Sequence, residues 1–308
     1  MKILTTLAEG SYFYGVAALL NSVSHYGRYV DKVVIGYREE LPAWLPTLQP
    51  SANGQYFTTG SGLLVELVEV TGDLHMVHEK PRWFRYLTEQ LEPEAEEFYF
   101  FDSDITINAR MDFFGEWIEE GVAVCADINF AFSSQHPIRK KWSRVAADSG
   151  YAVKFRPDTY YNSGFLGWNR GQRQFINDWV TSFELLAPFS GGMKKFRVQD
   201  RTNMVLSTNQ DSLNLAMMLT DTPLATVGPE AMGFDHGMRL MHHPLGPKPW
   251  QRSFLLDAVK GVPPREADVV FWQFVNGEEL RPVSAFRQKR KIFTCKMLRL
   301  LARFYKRS

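Results

Sequence analysis

Two carboxylates separated by one residue, Asp102 and Asp104, directly follow the aromatic run Phe98-Tyr99-Phe100-Phe101. A run without polar alternation is typical of a strand buried on both faces of a sheet. Such a strand delivers the residues after it to the carboxyl edge, where open α/β sheets bind ligands. Carboxylates there suit a hard divalent cation such as Mg²⁺ or Mn²⁺, which would neutralise a departing diphosphate.

Three later segments carry polar groups suited to the rim of a binding site. Residues 160–169 read YYNSGFLGWN, with amide and hydroxyl groups just before a predicted strand. Residues 209–214 read NQDSLN at the start of a predicted helix, and residues 242–250 read HHPLGPKPW, with imidazoles that could lie near a cation. Each segment alone is common in proteins, so the prediction of a binding site depends on their occurring together and in this order.

The elements that must position these segments alternate as an α/β fold requires. Hydrophobic periodicity predicts strands over residues 3–7, 32–37, 63–70, 98–101, 122–126 and 163–168, and helices over residues 13–26, 79–91, 172–185 and 211–219. Residues 41–62 contain scattered prolines and glycines, so we expect irregular structure with a short helix there. We expect residues 129–160 to be an insertion packed over the core.

Charge divides the chain into two parts. The 308 residues contain 35 Lys and Arg against 34 Asp and Glu, a net charge of +1, but residues 281–308 hold ten basic residues and no acidic one. Residues 1–280 therefore hold 25 basic and 34 acidic residues. We predict one large domain over residues 1–280 and a basic amphipathic tail over residues 281–308.

Composition excludes some protein classes. The apolar runs, such as Val16 to Leu20, are far too short to cross a bilayer, which excludes an integral membrane protein. Two cysteines make no disulfide framework, and Met1 to Leu4 reads as a strand rather than a signal peptide. We therefore expect a cytoplasmic protein.

The order of these segments resembles glycosyltransferase family 8, a retaining, metal-dependent group that includes glycogenin, galactinol synthase and bacterial lipopolysaccharide galactosyl- and glucosyltransferases. The family's consecutive motifs correspond here to FFDSD, YYNSGFLGW, NQDSLN and HHPLGPKPW. The resemblance implies a GT-A fold, in which helices flank a Rossmann-like, mostly parallel sheet that binds a nucleotide sugar. It also implies transfer of a hexose, most simply from a UDP-linked donor, to a glycan or another hydroxyl acceptor.

The resemblance further implies a metal site for Mn²⁺, or Mg²⁺, made by Asp102, Asp104 and one histidine. Counting back from Gly246 selects His243, and counting back from the lysine of the same segment selects His242. We prefer His243, because the His-x-x-Gly spacing sets the local turn.

The other site residues are carried over from the family position by position. Lys248 would contact the diphosphate as a point charge, Arg85 would reach the donor, and either Tyr12 or Tyr14 would stack on the base. Asn209 stands where the family usually has Asp. The implied donor-binding residues are Thr6, Tyr12, Tyr14, Arg85, Asp102, Ser103, Asp104, Asp127, Gly246 and Lys248. The implied catalytic residues are Asn162, Gln210 and Asp211.

Two other functions are compatible with parts of this pattern. A nucleotidyltransferase also uses carboxylates at strand ends, but it usually has a Gly-rich loop and a basic residue after the first strand, and Leu7 to Ser11 has no such basic residue. A protein that binds a nucleotide sugar without turnover is the second alternative, favoured by Asn209.

The tail has its own periodicity. Its apolar residues Phe293, Met297, Leu300, Leu301 and Phe304 recur at helical spacing among many lysines and arginines. A basic amphipathic helix is typical of a segment that lies on an anionic membrane. We predict that residues 285–308 attach the protein to the inner face of a membrane, where a glycolipid acceptor would be reached; docking on the acidic body is the alternative. We do not expect a nucleic-acid partner.

Overall fold

The computed structural model of the protein describes residues 1–129, 132–191 and 203–304. These residues form a large central sheet, a small second sheet and flanking helices. The strands are β1 (Lys2–Glu9), β2 (Lys32–Arg38), β3 (Gln49–Pro50), β4 (Gln55–Thr58), β5 (Leu64–Glu69), β6 (Glu97–Phe101), β7 (Thr106–Ile107), β8 (Val122–Cys125), β9 (Phe165–Asn169), β10 (Leu224–Val227) and β11 (Met241–His242). The helices are α1 (Phe13–His25), α2 (Lys80–Tyr86), α3 (Met111–Glu119), α4 (Pro137–Asp148), α5 (Arg173–Leu186), α6 (Thr208–Leu219), α7 (Phe254–Val259), α8 (Glu266–Phe274) and α9 (Ala285–Leu301).

The large sheet has the strand order β10-β8-β9-β6-β1-β2-β5-β4-β3. Strands β6, β1, β2 and β5 are parallel neighbours, as are β8 and β10, whereas β9 is antiparallel to both β6 and β8. Because β9 is reversed, its first residues lie at the same edge as the last residues of β6 and β8. The predicted mostly parallel α/β sheet is confirmed.

The aromatic run of β6 is buried on both faces of the sheet, as its sequence predicts. Tyr99 and Phe101 belong to the core on one face, which α1 and α3 cover, while Phe98 and Phe100 belong to the core on the other, which α2 and α5 cover. Successive side chains of a strand point to opposite faces, so four adjacent aromatic residues fill two cores. This packing fixes the position at which the strand ends.

Of two further predictions from the sequence, one was wrong in part and the other agrees with the structure. The expectation for residues 41–62 was wrong in part, because β3 and β4 form a hairpin whose second strand pairs with β5. Residues 132–160 do pack over the core, since α4 places Ile138 and Trp142 in a cluster with Leu186 and Leu215.

The tail forms α9, and one side of it packs on the body. Cys295 is fully buried, and Ile292 and Leu298 pack beside it against a cluster that includes Trp272. The other side of α9 is exposed, with Phe293 at 66% of its full exposure, and Phe304, which follows the helix, is 80% exposed. Residues 305–308 lie outside the described part of the chain. In the part that is described, no helix is long and apolar enough to cross a bilayer.

Candidate active site

Three metal-ligating side chains meet where β6 ends. Asp102 and Asp104 follow β6, and the antiparallel pairing of β11 with β7 brings His243 back beside them. Nε2 of His243 lies 3.8 Å from Oδ2 of Asp102 and 3.6 Å from Oδ1 of Asp104. One ligand atom from each residue lies within 4.8 Å of the others. Two carboxylates and an imidazole fit a divalent cation such as Mn²⁺ in both chemistry and spacing.

Each of the two aspartates also has a lysine partner. Nζ of Lys80 lies 2.6 Å from Oδ1 of Asp102, and the Nζ of Lys248 forms an ion pair with Oδ2 of Asp104. Burial alone would raise the pKa of Asp104, but the nearby Lys248 and His243 and the hydrogen bonds to the carboxylate together lower the pKa below its ordinary value. Each carboxylate therefore has one oxygen on a lysine and the other near His243.

An amide network continues the site toward β8 and β9. Asn162 precedes the reversed strand β9, and its Nδ2 donates to Oδ2 of Asp127, which follows β8, at 2.6 Å. Gln210, in the first turn of α6, donates to the same oxygen at 3.1 Å, and its Oε1 accepts from the backbone N–H of Ser163. Asn209 donates to the Ser163 hydroxyl at 2.9 Å. These groups present amides of the kind that hydrogen-bond sugar hydroxyls.

A cleft of about 490 Å³ joins these groups. It is lined by Tyr12, Lys80, Asp102, Ser103, Asp104, Asp127, Asn162, Asn209, Gln210, His243, Gly246 and Lys248, among others. Gly246 lies at φ 70°, a left-handed conformation that favours glycine. A separate cavity of about 570 Å³ is lined by His25, Tyr26 and Phe274 at the far end of α1, away from the three metal-ligating residues.

The structure separates the two tyrosines considered for base stacking. Tyr12 lines the cleft and packs edge-on against Trp250, with ring centroids 5.5 Å apart. Tyr14 stacks on Trp44 instead and does not line the cleft. Thr6 is fully buried within β1 and does not line the cleft.

Two of the site residues that the resemblance implies lie elsewhere. Arg85 is exposed on α2, outside the cleft, because it follows the cleft-facing start of the helix by more than one turn. Asp211 is fully buried; it accepts hydrogen bonds from the Tyr160 hydroxyl at 2.6 Å and from the backbone N–H of Ser207 at 2.7 Å. Asp211 therefore supports the start of α6 and does not face the cleft.

The alternative histidine is also remote from the carboxylates. His242 is 3% exposed, and burial lowers its pKa to about 4. The charged groups that influence it are Glu266 and Arg239, not the aspartates of the cleft. The geometry therefore agrees with the choice of His243.

Lys80 is a cleft residue that the sequence reasoning missed, and it pairs with one of the two aspartates. Its side chain is 2% exposed and donates to the carbonyl oxygen of Ser163 at 2.9 Å, besides pairing with Asp102. The available signal was its position immediately before Pro81, since proline favours the first turn of a helix and marks the helix start. A helix start in an α/β fold commonly lies at the ligand-binding edge.

A mostly parallel sheet with an Asp-x-Asp pair at a strand end and one reversed strand beside it is the GT-A glycosyltransferase fold. No protein-family model and no curated protein matches the chain by sequence. Solved structures do match by fold. The galactosyltransferase LgtC in complex with donor and acceptor sugar analogs has a TM-score of 0.55 at 13% identity, over 94% of this chain and 99% of that one.

Two further structures show the same fold. An active-site mutant of LgtC, in which a glutamine is replaced by glutamate, has a TM-score of 0.53 at 14% identity, covering 93% of this chain and 99% of the other. The apo structure of the bifunctional glycosyltransferase WbbM has a TM-score of 0.53 at 12% identity, over 95% of this chain and 52% of WbbM. The GT-A fold implied by the family resemblance is therefore confirmed.

Proposed function

We propose that this protein is a retaining, metal-dependent glycosyltransferase that moves a hexose from a UDP-linked donor to a hydroxyl acceptor. The observation that carries the proposal is the convergence of Asp102, Asp104 and His243 in one cleft. The same cleft offers an aromatic ring for a base, a lysine for a diphosphate and amides for sugar hydroxyls. The donor and acceptor sugar analogs bound to LgtC, which has the same fold, support this substrate class.

Departure of the diphosphate is assisted by Lys248. Its ammonium group lines the cleft, pairs with Asp104 and donates to the Pro244 carbonyl at 3.2 Å, so its charge is held in place beside the metal ligands. A fixed positive charge stabilises the negative charge that develops on the leaving group. When bound, a divalent cation would supply Lewis-acid stabilisation to the same leaving group.

Retention follows from attack on the face that the diphosphate leaves. Asp127 is the carboxylate nearest the amide network, but it accepts hydrogen bonds from the backbone N–H of Asn129 and from the amides of Asn162 and Gln210. These bonds reduce its nucleophilicity, and the amide of Gln210 is only weakly nucleophilic. The acceptor oxygen therefore bonds to C1 as the C1–O bond to phosphate breaks, and its proton passes to the departing phosphate.

The test is a screen of UDP- and GDP-sugars with Mn²⁺, read first as thermal stabilisation and then as released product. We expect stabilisation by a UDP-hexose and release of UDP. Asp102→Asn or Asp104→Asn should abolish both, while Asp221→Asn, at an exposed carboxylate, should change neither. A nucleotidyltransferase would release a different product, and a binder would be stabilised without turnover. Absence of stabilisation by every nucleotide would contradict the proposal.

The acceptor is a glycolipid at an anionic membrane on the cytoplasmic side, and α9 contacts that membrane. The exposed side of α9 carries Phe286 and Phe293, the exposed Phe304 follows just after the helix, and α9 contains no acidic residue. The neighbouring helix α7 extends this surface with Leu255 and Val259, of which Val259 is 88% exposed. Exposed apolar side chains flanked by lysine and arginine suit the boundary between headgroups and acyl chains.

A further inference from the structure

Lys80 is an unusual lysine, because it is almost completely buried next to a residue of the metal site. Its Nζ is fixed by three contacts: Oδ1 of Asp102 at 2.6 Å, the carbonyl oxygen of Ser163 at 2.9 Å and the ring of Phe100, whose centroid is 5.0 Å away. A buried ammonium with this many partners does not swing out to follow a ligand. It is therefore held in place behind Asp102.

The geometry leaves the metal-facing side of the site open. Lys80 forms an ion pair with Oδ1 of Asp102, and Oδ2 of the same carboxylate faces His243. Lys248 forms an ion pair with Oδ2 of Asp104, and Oδ1 of that carboxylate faces His243. The lysines therefore orient the two carboxylates without occupying the oxygen atoms that would bind a cation.

The same pairs set the charge next to the site. The two carboxylates are matched in number by the two lysine side chains that pair with them. A divalent cation entering alone would meet two carboxylates whose negative charge is already balanced by the paired lysines. A nucleoside diphosphate supplies the missing negative charge, and the lysines in turn attract that diphosphate.

We propose that Lys80 is a positioning residue that orients and neutralises Asp102, so that the cleft holds a divalent cation together with a nucleoside diphosphate and only weakly by itself. This inference rests on the proposed function, because it takes the cleft to bind both ligands. Its consequence is that Lys80 acts on the two ligands in opposite directions. It weakens binding of the cation alone and strengthens binding of the diphosphate alone.

The test is Lys80→Met, which keeps the length of the side chain and removes its charge. Mn²⁺ and UDP are titrated separately by calorimetry into the full-length wild type and the variant. We expect Mn²⁺ alone to bind the variant about tenfold more tightly and UDP alone about tenfold more weakly, the direction that loss of one adjacent positive charge dictates. General damage to the fold would weaken both.

Lys32→Met is the matched control, because Lys32 is a partly buried lysine paired with Glu66 and Glu92 outside the cleft. It should leave both affinities unchanged. If Lys80→Met does not fold, Lys80→Gln, which can still donate to the Ser163 carbonyl, is titrated in its place. Shifts of both affinities in the same direction, or no shift, would overturn the role of Lys80. Failure of the wild type to bind UDP, even with Mn²⁺ present, would instead overturn the proposed function and this inference with it.

Discussion

Gly164 lies directly against the imidazole ring of His243. A β-carbon at position 164 would be 2.7 Å from Cε1 of that ring, closer than such atoms approach in folded proteins. The carbonyl oxygen of Gly164 also accepts a hydrogen bond from the backbone N–H of Asp102 at 2.7 Å. One glycine therefore joins the segment before β9, the end of β6 and the histidine segment into a single site.

Gly164→Ala should disturb the metal site more than its small size suggests. The added methyl group must push the ring of His243 away from Asp102 and Asp104, so we expect Mn²⁺ affinity in the presence of UDP to fall about tenfold or more. The unfolding free energy should fall by about 1–3 kcal/mol, as is usual for overpacking. Gly171→Ala, at an exposed glycine where the new atom meets only the Asn169 side chain at 3.3 Å, is the control. Equal Mn²⁺ affinities in the two variants would argue against this packing.

The two adjacent histidines should differ sharply when each is replaced by glutamine. His243→Gln removes the nitrogen that lies beside both carboxylates, and we expect at least a tenfold loss of Mn²⁺ affinity in the presence of UDP, measured by calorimetry. His242→Gln is the matched substitution one residue away, on the other side of β11, and should leave that affinity within about twofold of wild type. The reverse ranking would assign the ligand to His242.

Binding to anionic membranes should depend on exposed apolar side chains of α7, of α9 and of the residues just after α9. Replacing Phe293, Phe304 and Val259 by serine should weaken binding to vesicles that contain phosphatidylglycerol by about tenfold for each residue that inserts. Turnover of a soluble nucleotide sugar should be unchanged. Phe155→Ser, at an exposed phenylalanine outside both helices, is the control.

These point substitutions are a cleaner test than removal of the whole tail. Truncation at residue 285 would also uncover Trp272 and the rest of the cluster that Cys295 covers, and so would lower stability as well. Vesicle binding that is unaffected by the triple substitution, or equally reduced by Phe155→Ser, would contradict attachment through this surface.

Asp211 should make stability depend on pH. Its burial raises the pKa of its carboxyl group to about 6 in the folded protein, from an ordinary value of 3.8. Between these two values the folded state binds more protons than the unfolded state, so the unfolding free energy falls as pH rises from about 4 to 6. The total decrease from this group is roughly 3 kcal/mol, and no further change is expected above about pH 7.

The measurement is urea unfolding at several pH values with EDTA present, comparing wild type with Asp211→Asn. The variant lacks the titrating group, so its stability relative to wild type should rise by roughly 3 kcal/mol from pH 4 to pH 7. Asp221→Asn, at an exposed carboxylate, should follow the wild type. Parallel curves for wild type and Asp211→Asn would refute the assignment.

The sequence by itself determined the local features of this protein. Four consecutive aromatic residues require a strand buried on two faces, and that strand must end at Asp102. The sequence also shows the order of the segments, the change from an acidic to a basic part at residue 281, and the helical spacing of the apolar residues in the tail. Each is a property of neighbouring residues, which the periods of strands and helices convert directly into structure.

Only the tertiary structure decided which side chains reach the cleft. It placed Tyr12 and Lys80 in the cleft, left Tyr14 and Arg85 outside it, and turned Asp211 into the interior. It also reversed β9, which brings Asn162, at a strand start, to the edge where other strands end. These outcomes depend on strand pairing and helix packing between residues far apart in the chain. Hydrophobic periodicity indicates which face of an element is buried, but it does not indicate which neighbouring element packs against that face.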